Sequence, residues 1–268
     1  MFNEYIQFIV VIAGIGTLIH SLENIRCISI VSEKGILSWD ILQHQNPTKN
    51  YQLFNILFEP RGLMAVYISQ SLLAIASLIL AALHIYPTYI FASLLILYAI
   101  PALRSSFGID GAIQMYIIVY FSLVIITVPL PNTVVPELGV IFLGVQAALS
   151  YSISGIAKLT SPAWRNGSAL RGIFSTQIYG NELIFRFFNS YPRLCCMSSW
   201  FVILFECLFV ISVLISPTTA LVFLGIGVCF HIFNMVFMGL NNFFFAFLAT
   251  YPAIYYMATY FDFTILPI

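Results

Sequence analysis

The sequence predicts an all-α fold, a polytopic integral membrane bundle of about eight transmembrane helices with an interfacial helix after the fifth. Three observations predict it. Of 268 residues, 61% are hydrophobic and only 7% charged, whereas a soluble domain carries about 25% charged residues. The apolar residues gather into long runs, and a spanning helix needs roughly 20 of them. The cations, finally, fall almost entirely in every second loop between those runs. So few charges cannot cover a water-facing surface. The composition excludes a soluble enzyme, a disordered chain and a nucleic-acid binder, which would need a basic field. The net charge is zero, so bulk electrostatics select no particular partner; the composition leaves the lipid bilayer as the expected surroundings.

Taken in order, the runs give span one at 5–22, span two at 63–84, span three at 88–103 and span four at 112–128. Span five covers 138–158, span six 194–215, span seven 219–238 and span eight 243–261, with Pro252 inside the last expected to kink it. The first run follows Glu4 rather than a basic region, and so reads as a span and not as a cleaved signal peptide. Two connections are long, 24–62 and 159–193. Within the second, apolar and polar residues alternate from Trp164 to Phe174, the pattern of an amphipathic helix lying along the membrane surface. The others are tight and marked by Pro87, Pro129 to Asn132, Ser216-Pro217 and Gly239. With no repeat and no linker, residues 1–268 read as a single membrane domain.

Charge tests the span count. The loops after spans one, three, five and seven share a face if there are eight spans. They hold Arg26, Lys34, Lys49, Arg61, Arg104, Arg165, Arg171, Arg186 and Arg193, nine of the ten cations. The tenth, Lys158, ends span five. The positive-inside rule makes that face cytoplasmic and puts both termini outside. The five cysteines have no metal-ligand spacing. Cys207 and Cys229 lie in apolar runs as packing residues, while Cys27 falls in the first long loop. The neighbouring Cys195 and Cys196 stand at the foot of span six, a place for packing or for palmitoylation.

An ionisable group at membrane depth is costly, which makes each one a functional candidate. Lys158 either snorkels to the headgroups or turns inward as an amine able to act as a base. His231 lies mid-span, with Asn234 three residues on and on the same helical face, so the two read as pocket residues; the alternative is a histidine bonding a neighbouring helix. Glu206 can pair with Lys158 or an arginine, or stay protonated within the bundle. Asp110 in Gly108-Ile109-Asp110-Gly111 is placed to cap span four. His20, His44, His84 and His231 lie too far apart in sequence for zinc spacing, so no metal site is expected. No phosphate loop and no nucleophile elbow occurs.

Three segments together resemble a known family: Ser154 to Leu159 with Trp164 to Leu170, Phe230 to Asn234 with the following Phe243-Phe244-Phe245, and Arg104 through Asp110-Gly111. They are similar to the HTTM (horizontally transferred transmembrane) domain, shared by vitamin K-dependent gamma-carboxylases and by bacterial maturation proteins of the sporulation-delaying-protein B type. The resemblance implies a multi-helix membrane domain in a bacterial cell membrane. It also implies a small peptide as partner and a reduced, vitamin K-like quinone as cofactor. Carried over, Lys158 would be the base that deprotonates the quinol, with Trp164, His231 and Asn234 lining the pocket; Glu206, Asp110 and Arg104 are grouped with them as candidate pocket residues on their own chemistry. Asp110-Gly111 stands where the carboxylases have a histidine, closer to the peptide-maturation proteins. The alternatives are a non-catalytic assembly or immunity partner of a secreted peptide, and a transporter, for which an inverted repeat would be the mark.

Overall fold

The computed structural model describes residues 2–31, 35, 37–45, 55–105, 108–130 and 133–261. Lys34, Lys49 and the Pro131-Asn132 part of the turn after span four lie outside the described residues. The described chain is helical, as apolar runs must be where no water can satisfy the backbone. Its helices are α1 (Phe2–Arg26), α2 (Trp39–Gln45), α3 (Asn55–Phe58), α4 (Pro60–Ala82), α5 (Thr88–Arg104), α6 (Gly111–Thr127) and α7 (Val135–Thr160). There follow α8 (Pro162–Arg165), α9 (Ser168–Phe174), α10 (Glu182–Ser190), α11 (Pro192–Ile215), α12 (Pro217–Met238), α13 (Asn241–Leu248) and α14 (Tyr251–Tyr260). Among the described residues α1, α4, α7, α11 and α12 are long and apolar enough to cross a membrane. The apolar helices α5 and α6 have 17 residues each, about 26 Å of helix.

Helix starts follow from composition. Pro60, Pro162, Pro192 and Pro217 each open a helix at its first position, where the missing N–H costs nothing. Ser216 and Thr219 form a reciprocal capping box on α12, and the Asn181 side chain accepts from the amides of Leu183 and Ile184 on α10. Two expectations need correcting. The eighth apolar run is not one kinked helix: it is interrupted at Ala249-Thr250, between α13 and α14. Pro252 has no N–H for Leu248, and its ring would clash with that carbonyl, so the helix restarts. The stretch from Trp164 to Phe174 is likewise two short helices. They are parted at Asn166-Gly167, where Gly167 takes a φ of +80°. A Cβ there would also lie 2.9 Å from the backbone of Cys196, so only glycine fits.

The chain divides into two compact units, Met1–Gly139 with Phe245–Ala249, and Val140–Phe244 with Thr250–Ile268. In the first, α1 runs along α4, and α5 packs between α4 and α6. Gly16 leaves room on α1 for the α6 ring of Tyr116 and for Phe245: a Cβ there would stand 2.1 Å from Tyr116 Oη and 2.4 Å from Phe245 Cβ. The core of this unit is a stack of tyrosines, with Tyr98 4.9 Å from Tyr116 and 5.6 Å from Tyr120 between ring centroids, and His20 5.3 Å from Tyr98. Buried hydroxyls need partners: Thr17 Oγ1 and Tyr120 Oη lie 2.6 Å apart, and Tyr98 Oη donates to Thr17 at 3.0 Å. Part of the long connection after α1 folds onto this unit. Trp39, Leu42 and Phe58 cluster with Val66 and Ile100, and Trp39 Nε1 donates to Asn55 Oδ1 at 3.1 Å.

In the second unit α11 packs on α12, both meet α14, and α8, α9 and α10 gather at the beginning of α11. This unit holds the inward-facing amine.

Candidate functional site

The site starts from a close crossing of α7 and α11. Gly155 makes it: a Cβ at that position would be 2.6 Å from the amide nitrogen of Cys207 and 2.9 Å from the carbonyl carbon of Glu206. With the backbones so near, the Lys158 amine reaches the Glu206 carboxylate, at 2.9 Å to Oε1 and 2.7 Å to Oε2. It also donates to Ser154 Oγ, one turn earlier on the same helix, at 2.5 Å. An ammonium has three N–H donors, and these three acceptors use them all. The Glu206 side chain is 5% exposed and that of Lys158 17%. The lysine therefore turns inward to a partner rather than outward along the helix. Of the alternatives for Glu206, pairing with Lys158 is the one formed.

Trp164 lies against the amine, its ring centroid 5.2 Å from Lys158 Nζ, within reach of a cation–π contact. The short α8 would be loose alone, but the first turns of α11 hold its backbone. Ser199 Oγ donates to Trp164 O at 2.5 Å and Trp200 Nε1 to Arg165 O at 3.0 Å. The Cys195 and Cys196 thiols point to Gly167 O and Arg165 O at 3.2 and 3.4 Å. Both thiols thus serve as donors in packing, with all five cysteines free.

Lys158 and Trp164 stand on the wall of a cavity of about 1030 Å³. Its remaining walls are largely aliphatic and aromatic side chains of α9, α10, α11 and α12, and Ser198 and Asn234 add two hydrogen-bonding groups. A large apolar volume with a few converging polar groups is the usual form of a small-molecule site.

His231, three residues before Asn234, takes part in a different arrangement. The ring is buried, and its Nε2 lies 2.7 Å from Tyr151 Oη, which in turn is 2.9 Å from Tyr251 Oη. Gly227 leaves room for this chain, since a Cβ there would be 2.2 Å from Tyr251 Oη. Tyr151 is held by stacking on Phe209 at 4.0 Å. So α12 offers Asn234 to the cavity and His231 to the tyrosines.

Arg104 and Asp110 belong to the other unit, and there each has a local partner. Arg104 ends α5 buried; its Nε donates to Phe58 O at 3.0 Å and its Nη2 to Leu37 O. It thereby ties the connection after α1 to the end of α5. Asp110 is the N-cap of α6, its Oδ1 accepting from the Ala112 amide at 3.4 Å. Desolvation at this turn holds the Asp110 carboxyl above its usual range, against the pull of the Ala112 and Gly111 amides.

Sequence reasoning assigned no role to Ser154, Tyr151 or Tyr251. A signal existed for the first two: Tyr151, Ser154 and Lys158 follow at helical spacing and form one polar stripe on α7. Nothing local pointed to Tyr251, 100 residues from Tyr151.

No curated protein and no solved structure shows a significant match to the chain. The model of one family does match, the HTTM domain, over residues 112–258. That interval contains Lys158, Glu206, Trp164, Asn234, the cavity walls and the His231 cluster, and by it the chain is a membrane protein belonging to the HTTM domain family.

Proposed function

We propose that this HTTM protein is a membrane enzyme or maturation factor acting on a peptide, with Lys158 as its base. The observation that carries the reading is the inward amine on the wall of an apolar cavity, beside Asn234 and beneath Trp164. The walls suit a co-reactant of the reduced-quinone class: apolar surface for a ring and tail, with Lys158, Ser198 and Asn234 for its oxygens. Such a group, when bound, would supply a weakly acidic hydroxyl and reducing equivalents. Lys158 must give up a proton before it can accept one, and Glu206, in contact at 2.7 Å, is the acceptor. Passing that proton leaves amine and acid, a pair as neutral overall as ammonium and carboxylate, so the exchange adds no net charge to the membrane interior. Trp164 and the apolar walls limit the contact of the amine with water, leaving its side chain 17% exposed. The basic loops face the cytoplasm of a bacterial cell in this reading.

A second reading has one observation in its favour. All three ammonium donors are satisfied, as in a tie that fastens α7 to α11. The protein would then be a non-catalytic membrane partner of a secreted peptide. Purified protein given a reduced quinone and followed by an oxygen electrode decides between them. Uptake that Lys158→Ala abolishes, while the variant inserts and accumulates, supports the base. Absence of uptake, together with unchanged peptide output from cells carrying Lys158→Ala, would leave the second reading standing.

A further inference from the structure

A second, smaller cavity of about 240 Å³ lies where α9, α10 and α11 meet, lined by Asn166, Gly167, Ser168, Arg171, Phe188, Pro192 and Cys195. We propose that it binds the phosphate of a membrane phospholipid, with the Arg171 guanidinium as its cationic group and the lipid tail passing Phe188. The volume is that of about eight water molecules, ample for a phosphodiester group. Its only charged wall residue is Arg171, and Asn166 and Ser168 supply polar side chains beside it.

The neighbouring charges fit an anion. In residues 161–193, Glu182 is the single acidic residue, and it pairs with Arg186 at 2.6 Å. Among the described residues Arg171 has no carboxylate partner, and neither do Arg165 and Arg193. A guanidinium matches a phosphate with two parallel hydrogen bonds.

The occupant is a lipid rather than a free phosphate because of what borders the cavity. Phe188 is a wall of this cavity and of the large apolar one, and Leu170 and Leu194 of the large cavity directly precede Arg171 and Cys195 of the small one. Polar and apolar compartments thus adjoin, as a headgroup and its chains require. The same stretch exposes Ile178, Leu183, Phe187 and Tyr191 at 79, 75, 45 and 55%. Large apolar side chains beside unpaired arginines are the composition of a segment seated at the lipid headgroup level. This inference does not rest on Lys158 acting as a base and would hold for either reading above.

Native mass spectrometry of the full chain, titrated with dioleoyl phosphatidylglycerol, tests it. Glycerol 3-phosphate serves as the same head without tails. One tightly held lipid is expected, weakened about tenfold or more by Arg171→Ala, and changed less than about fivefold by Arg165→Ala. Asn166→Asp keeps an acceptor for the Ser168 amide and places a negative charge in the cavity, so it should weaken the lipid as Arg171→Ala does. It also serves if Arg171→Ala does not fold. Lipid retention indifferent to both pocket variants would overturn the proposal. So would an equal loss in Arg165→Ala, which would mean diffuse attraction to a basic surface. Glycerol 3-phosphate binding as tightly as the lipid, and dependent on Arg171, would replace the phospholipid with a soluble phosphate.

Discussion

Removing the amine of the Lys158–Glu206 pair has a cost that can be worked from the contacts. In Lys158→Met the chain keeps much of the apolar stem, but the Glu206 carboxylate, 5% exposed, loses its counter-ion. Breaking a buried pair in this way costs about 3–5 kcal/mol while the remaining group stays charged. The carboxylate can instead take up a proton. For an ordinary glutamate with a pKa of about 4.3, neutralisation at pH 7 costs roughly 3.7 kcal/mol, which caps the penalty. The cap falls by about 1.4 kcal/mol for each pH unit, so near pH 5 it is about 1 kcal/mol. Thermal unfolding in detergent, followed by tryptophan fluorescence, should show Lys158→Met melting about 6–14 °C below the parent at pH 7. By pH 5 most of that gap should close. Glu206→Gln should cost less, because the amine it strands is three times as exposed and borders a cavity. The double variant Lys158→Met/Glu206→Gln should recover much of the loss. A Lys158→Met melting curve that coincides with the parent at both pH values would refute the buried pair. A gap that does not narrow on acidification would refute the assignment of the cost to the stranded carboxylate.

Two further outcomes follow from the contacts. Tyr151→Phe removes the hydroxyl shared by His231 and Tyr251 and should destabilise the protein by about 1–3 kcal/mol, read by the same melting assay; an unchanged melting temperature would mean that the three groups do not form a chain. Arg104→Lys keeps the charge but cannot reproduce the paired donation to Phe58 O and Leu37 O, so limited proteolysis should cut faster between residues 31 and 59, while cutting elsewhere stays at the parental rate.

The long helices were legible because lipid leaves an apolar run few alternatives to a helix. Thus α1, α4, α5, α6, α7, α11 and α12 each begin and end within a few residues of the apolar runs at 5–22, 63–84, 88–103, 112–128, 138–158, 194–215 and 219–238. The break at Ala249-Thr250 was less so, since Pro252 announces a disturbance without saying whether the helix bends or restarts. The short helices α2 and α3 were not read, because their stability comes from Trp39 and Phe58 docking on Val66 and Ile100 rather than from local periodicity. At the site, Lys158 and Glu206 stood out as charges in apolar surroundings. That they meet depends on Gly155 and Cys207, whose approach is a tertiary fact. His231 and Asn234 share a face by spacing, yet three residues on a helix still differ by about 60° around the axis. That is enough to send one to Tyr151 and the other to the cavity.

Helix α11 carries Glu206 and, through Trp164 O, Arg165 O and Gly167 O, also fixes the ring over Lys158. The counter-ion and the roof of the amine therefore ride on one rod. A helix of 24 residues, about 36 Å long, is longer than a hydrocarbon layer of about 30 Å, an excess that tilting, kinking or local thickening of the bilayer absorbs. Any tilt of α11 would therefore carry the carboxylate and the indole's anchorage together, so neither side of the amine's surroundings can shift without the other.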